Sequence, residues 1–287
     1  MSLENFLTGK KTLISCRGRL IDLSKPRIMG ILNITPDSFY DGGRYTTEQA
    51  VLKRAEQIVA EGGDIIDIGA CSTRPGAKQI TEKEETARLL PALRSIVSEF
   101  SEIILSVDTY RAGVAEIAVK ETGGCIINDI SGGTMDENMC SAVAGLGVPY
   151  VLMHTKGRPE NMQENPVYED VVKEVIVHLG KRAEALKRSG VKDIIIDPGF
   201  GFGKTTDHNY KLLRNLHFFN AIGLPLMAGF SRKSMINKLL GISSENALNA
   251  TTVLNTIALA AGVNILRVHD VKEATEAVKI MEVMKEV

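Results

Sequence analysis

Residues 27–33 read RIMGILN, an apolar run that stops at an amide and is followed by a stretch of helical periodicity. The same phrase recurs as DIIDIGA (64–70), EIILSVD (102–108), CIINDI (125–130), PYVLMH (149–154), DIIID (193–197), LPLMAG (224–229) and NILRVHD (264–270). Half-exposed antiparallel strands would alternate apolar and polar residues, whereas continuous Val, Ile and Leu runs mark parallel strands buried on both faces. Repetition of this strand-and-helix unit predicts an α/β fold, a TIM (β/α)8 barrel forming a single domain over residues 1–287. Catalytic groups of such barrels sit at the carboxyl ends of the strands. Asn33, Asp108, Asn128, His154, Asp197, Arg267 and His269 are therefore expected to converge on one rim.

Helical patterns lie between the runs, among them 48–60, 82–100, 170–188 and 272–285, with Gly62 and Gly190 as helix-closing glycines. Ahead of the first run, TLISCRGRLIDL (12–23) reads as two short strands about a turn, an N-terminal β-hairpin capping the barrel bottom. ENALNATTVLNTIALAA (245–261) is predicted to be an extra helix that either packs on the barrel or meets another subunit, and a homodimer is favoured.

A chain of 287 residues with 44% hydrophobic content can bury a sizeable core, and its formal net charge of -1 creates no global field for nucleic acid or an anionic membrane. No apolar run approaches the ~20 residues that span a bilayer. Neither nucleic acid nor membrane is an expected partner, and a cytoplasmic protein is. Cys16, Cys71, Cys125 and Cys140 are far apart and form no C-x-x-C pair, so packing thiols are expected rather than disulfides or zinc.

The connections after the strands carry the chemistry. ITPDSFYDGGRY (34–45) is long for such a loop and holds the aromatic Phe39, which suggests a lid or, as the bland alternative, a surface insertion. In STRPG (72–76), Arg74 stands beside a rigid Pro-Gly turn and suits a phosphate or carboxylate. Asp108, Asp197 and Asn128 together offer acceptors and a donor to a flat heterocycle bearing an amidine; a salt-bridged structural pair is the alternative for the two acids. Arg267 and His269 are two apart in a strand and share a face. With Ser231, Arg232 and Lys233 of GFSRKS (229–234) they form a cationic patch where barrels commonly bind phosphate. DPGFGFGKT (197–205) matches neither a P-loop nor G-x-G-x-x-G. Its glycines are expected to let the backbone pass close to a ligand, with Phe200 or Phe202 as an apolar wall. His178, His208 and His217 are expected to be solvated.

Taken together, ILNITPDSFYDGG, DIIDIGACSTRPGA, SVDT, NDISGG, DPGFGFGK, GFSRKS and RVHD resemble, in order and over nearly the whole chain, the dihydropteroate synthases. That resemblance implies condensation of 6-hydroxymethyl-7,8-dihydropterin diphosphate with 4-aminobenzoate, a Mg2+ cofactor and a homodimer. It implies pterin-binding roles for Asp108, Asn128, Asp197 and Lys233, and diphosphate-binding roles for Asn33, Ser231, Arg267 and His269, with Asn33 also contacting the magnesium. Thr73, Arg74, Pro75, Phe39, Phe202 and Ser234 match positions that shape the aminobenzoate site, and Asp41 an acidic residue of the first loop. Tyr40, Ala70, Cys71 and Thr155 depart from the family's usual residues. Two other readings stay open here: a barrel transferring a methyl group from methyltetrahydrofolate to a corrinoid, and a pterin-binding protein without catalysis.

Overall fold

A computed structural model describes residues 9–34, 47–71, 79–157, 162 and 164–286 of the chain. Two short antiparallel strands come first, β1 (Leu13–Cys16) and β2 (Arg19–Asp22), paired Leu13 to Asp22 and Cys16 to Arg19. Eight parallel strands follow: β3 (Arg27–Asn33), β4 (Ile65–Gly69), β5 (Ile104–Asp108), β6 (Ile126–Asp129), β7 (Tyr150–Met153), β8 (Ile194–Asp197), β9 (Met227–Ala228) and β10 (Ile265–Val268). Their order is β8-β7-β6-β5-β4-β3-β10-β9, and a parallel bridge between Ile196 and Leu226 joins the two ends of that series. The sheet therefore closes on itself as a (β/α)8 barrel. β9 is two residues long, and Leu226 just before it makes the closing bridge to β8 while its carbonyl accepts from the Asn264 and Ile265 amides.

Between and after the strands lie α1 (Thr47–Ala60), α2 (Glu82–Glu99), α3 (Ala112–Thr122), α4 (Met139–Leu146), α5 (Val171–Arg188), α6 (Thr206–Arg214), α7 (Ser234–Leu240), α8 (Leu248–Ala260) and α9 (Val271–Glu286). Local chemistry sets their ends. Thr81 and Glu84 form a reciprocal capping box ahead of α2. Asp170 accepts from the Val172 and Lys173 amides at the start of α5, whose last turn carries Lys187 and Arg188 against the negative helix end. Gly123 and Gly147 close α3 and α4 in the left-handed conformation. The expected helix 245–261 starts later, at Leu248, because Ser244–Asn246 form a 3-10 turn in which the Asn246 amide donates to Ser243 Oγ.

Alternation along the strands divides the core. Outward residues such as Ile28, Leu32, Ile66, Ile68, Leu105 and Val107 pack under the helices. At the amino-terminal end of the barrel, inward Met29, Ile65, Ile126, Val151, Ile195, Met227 and Ile265 cluster with Ile14, Cys16, Ile21 and Leu23. The hairpin thus plugs the barrel bottom, and Asp193 tethers it by accepting from Lys11 Nζ (2.6 Å) and the Ser15 amide (2.9 Å). None of the four cysteines forms a disulfide. Among the described residues, no helix is long and apolar enough to cross a membrane.

Candidate active site

Above the apolar plug the inward positions turn polar. Asp67, Ser106, Asn128 and Asp197 are all buried in the barrel interior, and Arg267 stands among them. Such groups are costly in a dry interior unless paired or used. Arg267 Nε donates to Asp67 Oδ2 at 2.6 Å and its Nη2 to Asp108 Oδ2 at 2.7 Å, so one guanidinium bridges β4 and β5 from β10. Asp67 Oδ2 also accepts from Asn128 Nδ2 at 3.1 Å, which turns the amide oxygen of Asn128 away from Asp67. Asp67 Oδ1 has no hydrogen-bond partner among the described residues.

Glycine at two inward positions leaves space beside these groups. A Cβ on Gly69 would lie 3.3 Å from Asp108 Cβ and 3.6 Å from Asn33 Oδ1; one on Gly229 would lie 3.3 Å from the Arg267 carbonyl. Met153 and Ile130 are buried apolar neighbours at the rim, with Phe202 packed against them. The result is a recess with an apolar side and a row of acceptors.

Electrostatics follow from burial. Burial pushes the Asp108 carboxyl up to about 7, with Arg267 pulling it back and Asp67 adding to the rise. Burial also raises Asp197, opposed by Lys233 and by the Gly199 amide, which donates to Asp197 Oδ1 at 2.7 Å. Lys233 falls to about 8, again through burial, against the pull of Asp197. Arg267 remains charged because Asp67 and Asp108 outweigh its desolvation.

The expected cationic patch separates into three parts. His269 Nδ1 lies 3.0 Å from Ser231 Oγ, and that oxygen also accepts from the His269 amide at 3.2 Å, so these two residues form one locus beside Arg267. Burial and Arg267 bring His269 down to about 4, making it a neutral imidazole rather than the cation a basic patch would require. Arg232, at φ 58°, is paired with Asp270 at 2.7 Å and its charge is offset there. Lys233 turns instead toward the loop after β8, donating to the Phe200 carbonyl at 2.5 Å with its ammonium 5.1 Å from the Phe202 ring centre. Ser234 begins α7 and is exposed; Asn33 ends β3, half-buried near Asp108.

The loop after β8 departs from the expected arrangement. Gly199, Gly201 and Gly203 all have positive φ (69°, 82° and 60°). A Cβ on Gly199 would sit 2.0 Å from the His154 carbonyl, and one on Gly203 2.2 Å from that of Lys156. Two of the three glycines therefore admit the protein's own backbone, not a ligand. Phe200 is fully buried on Phe230, ring centres 4.5 Å apart, which leaves Phe202 as the aromatic on the recess side. His154 is buried, and its ring is within 3.0 Å of Lys204 Nζ; His178 stands edge-on to it at 4.9 Å and is not a solvated surface residue.

Phe39, Asp41, Thr73, Arg74 and Pro75 lie outside the described residues. Asp67 and Lys204 are functional candidates that the motif reading passed over. For Asp67 a signal was present: an acid two residues from both Ile65 and Gly69 shares their inward face. Arg54 of α1, which donates to the His269 carbonyl at 2.5 Å, carried no such signal.

The sequence profile of the family described as pterin binding enzyme matches residues 29–269. Dihydropteroate synthase of Escherichia coli (strain K12) is 41% identical over 268 residues, covering 93% of this chain and 94% of that protein. The fold is similar to the Yersinia pestis dihydropteroate synthase in complex with a sulfonamide drug, at TM-score 0.90 and 39% identity over 96% of this chain and all of that one. It is also similar to the Xanthomonas albilineans dihydropteroate synthase with 4-aminobenzoic acid, at TM-score 0.89 and 38% identity, covering 96% and 99% of the two chains. With its acceptor row and apolar side set on this barrel, the chain belongs to the pterin-binding enzymes, among the dihydropteroate synthases.

Proposed function

We propose that the recess binds 6-hydroxymethyl-7,8-dihydropterin diphosphate and that the chain joins it to 4-aminobenzoate with release of diphosphate. The observation that carries this reading is the division of the site: Asp197, Asn128 and Lys233 face the recess interior, while His269 and Ser231 pair toward its rim beside Arg267, whose guanidinium reaches inward to Asp67 and Asp108. A heterocycle with adjacent amino and ring N–H groups meets a fixed carboxylate in Asp197, a charge-assisted pairing roughly twice as strong as a neutral one. Asn128, its amide orientation set by Asp67, presents an oxygen to a further N–H, and Lys233 reaches ring acceptors from above Phe202.

Departure of diphosphate develops negative charge at the rim. Arg267 meets that charge, and the neutral His269–Ser231 pair, which uses one of its two polar hydrogens internally, supplies a further hydrogen-bond donor, a preorganised set of the kind that contributes most to rate. Loss of the leaving group makes the pterin methylene cationic, and Asp108 in its ionised form stabilises it. The arylamine, neutral at pH 7, attacks that cation, its C–N bond replacing the C–O bond to diphosphate and the departing diphosphate taking the proton the nitrogen loses; the reaction is dissociative and passes through no covalent enzyme intermediate.

Among the described residues no cluster of three His, Cys, Asp or Glu side chains could hold a metal by itself. Mg2+ fits such a place, since it keeps several waters and shares its coordination with substrate phosphates. The Asn33 amide oxygen, beside the space left by Gly69, is the protein atom that would hold it. Bound there, the ion would supply positive charge against the leaving diphosphate.

The active unit is a homodimer, a reading supported by the apolar side chains left exposed on neighbouring α8 and α9: Val253, Ile257, Ile280, Val283 and Met284. Cysteines that form no disulfide suit a reducing cytoplasm. The test is direct. Purified protein with Mg2+ and the pterin diphosphate should release diphosphate over many turnovers only when 4-aminobenzoate is added, and sustained turnover that ignores the arylamine would overturn the assignment.

A further inference from the structure

Lys204 is 2% exposed, and among the described residues no carboxylate lies within ion-pair distance of it. Taking an ammonium out of water costs several kcal/mol unless its donors are well met. They are met by an unusual set: the carbonyls of Gly199 (2.9 Å), Phe202 (2.9 Å) and His154 (3.3 Å), and the Nδ1 of His154 (3.0 Å). Burial and the Lys204 charge hold His154 far down, at about 2, so its ring is neutral and Nδ1 accepts.

The cage is built by the chain around it. Left-handed glycines at 199, 201 and 203 alternate with Phe200 and Phe202, and this alternation turns the Gly199 and Phe202 carbonyls to one side, toward Lys204. The Phe200 carbonyl goes instead to Lys233 on the recess side. Two lysines thus hold successive parts of one loop. The bottom of the cage is tied down independently, since Tyr168 donates to the Gly203 carbonyl at 2.9 Å and Asn209 Oδ1 accepts from the Gly201 amide at 2.8 Å.

Gly199 connects this cage to the recess. Its carbonyl is held by Lys204, and its N–H donates to Asp197 Oδ1, fixing the carboxylate proposed above to grip the pterin. We propose that Lys204 is a positioning residue for the pterin: by caging the carbonyls of Gly199, Phe202 and His154 it holds Asp197 and Phe202 in their binding geometry without touching the substrate. The inference rests on the pterin-binding reading of the recess. Burial brings Lys204 down to about 7 against the pull of Asp197, and in its protonated form it places a positive charge behind Asp197, favouring the ionised carboxylate.

The experiment measures two affinities on each protein. The chain contains no Trp, so the fluorescence of 6-hydroxymethylpterin can report its binding directly; magnesium diphosphate, titrated calorimetrically, reports the rim. Lys204→Met, which keeps volume and removes the donors, should weaken 6-hydroxymethylpterin at least tenfold while magnesium diphosphate changes by less than threefold. In turnover it should raise KM for the pterin substrate more than it lowers kcat. Parallel loss of both ligands, or unchanged pterin affinity in a cooperatively melting variant, would overturn the proposal. Should Lys204→Met fail to fold, Lys204→Gln, which keeps two N–H donors without the charge, is judged by the same split. Failure of the unmodified protein to bind 6-hydroxymethylpterin would instead reject the pterin reading itself.

Discussion

Replacing Asp67 by alanine tests the idea that one buried carboxylate organises the recess. Its side chain is 0% exposed and holds both Arg267 Nε at 2.6 Å and Asn128 Nδ2 at 3.1 Å. Breaking a fully buried ion pair costs about 3–5 kcal/mol. Arg267 retains Asp108 and is 22% exposed, so the ion-pair loss belongs near or below the low end, about 2–3 kcal/mol. The Asn128 hydrogen bond adds about 1 kcal/mol, bringing the expected loss to roughly 3–4 kcal/mol. At about 2 °C per kcal/mol for a chain of this size, the midpoint of thermal unfolding should fall by roughly 6–8 °C. Asp67→Asn, which keeps the shape and one acceptor but not the charge, should fall by about half as much. Binding should suffer as well, because the freed Asn128 amide can turn and offer a donor where the pterin brings one. Differential scanning calorimetry and fluorescence titration with 6-hydroxymethylpterin measure the two effects. A midpoint within 2 °C of the parent together with unchanged pterin affinity would refute the organising role of Asp67.

Asp197→Asn should weaken pterin binding by about 10- to 150-fold, the equivalent of losing about 1.5–3 kcal/mol of charge-assisted hydrogen bonding, and equal affinities in calorimetry would exclude Asp197 from the contact. With Asp108 raised to about 7 and Lys233 lowered to about 8, kcat/KM for the pterin substrate should rise toward pH 7 and decline above pH 8; Asp108→Asn should remove the rising limb. A raised carboxyl pKa stabilises the fold below the ordinary carboxylate range, and that stability is lost as pH rises through about 7. Asp108→Asn should therefore flatten the fall in unfolding free energy between about pH 4 and pH 7, and an unchanged slope in denaturant titrations would count against the shift. Gly199→Ala places a Cβ 2.0 Å from the His154 carbonyl in a left-handed residue, so a loss of at least 2 kcal/mol with weakened pterin binding is expected, on the scale of other backbone misfits. His269 should move from about 4 to above 6 in NMR titration when magnesium diphosphate binds, because an anion favours the imidazolium; a static value would remove His269 from the diphosphate locus.

Much of this molecule is written in short-range pattern. Continuous apolar runs, each ended by a polar residue or a glycine turn, determine eight parallel buried strands, because only a sheet covered on both faces tolerates them. The two-residue period then settles which side chains face inward, and so Asn33, Asp108, Asn128, Asp197, Arg267 and His269 were legible as one set, whereas His154, expected with them, has the outward parity of Tyr150 and Leu152 and meets Lys204 instead. Alternation of Ile14, Cys16, Ile21 and Leu23 likewise marks the hairpin as a plug. Partnership is another matter, since it depends on distances between segments far apart in the chain. Only the closed barrel brings Arg267 onto Asp67 and Asp108, 200 and 159 residues away, and desolvates them together. The same closure makes His269 neutral, diverts Arg232 to Asp270 and turns Lys233 from the rim into the recess. It also shows that Gly199 and Gly203 of DPGFGFGK answer to the backbone of the connection after β7 and to a buried lysine, a constraint no local pattern could express because its other half lies about fifty residues earlier, at His154.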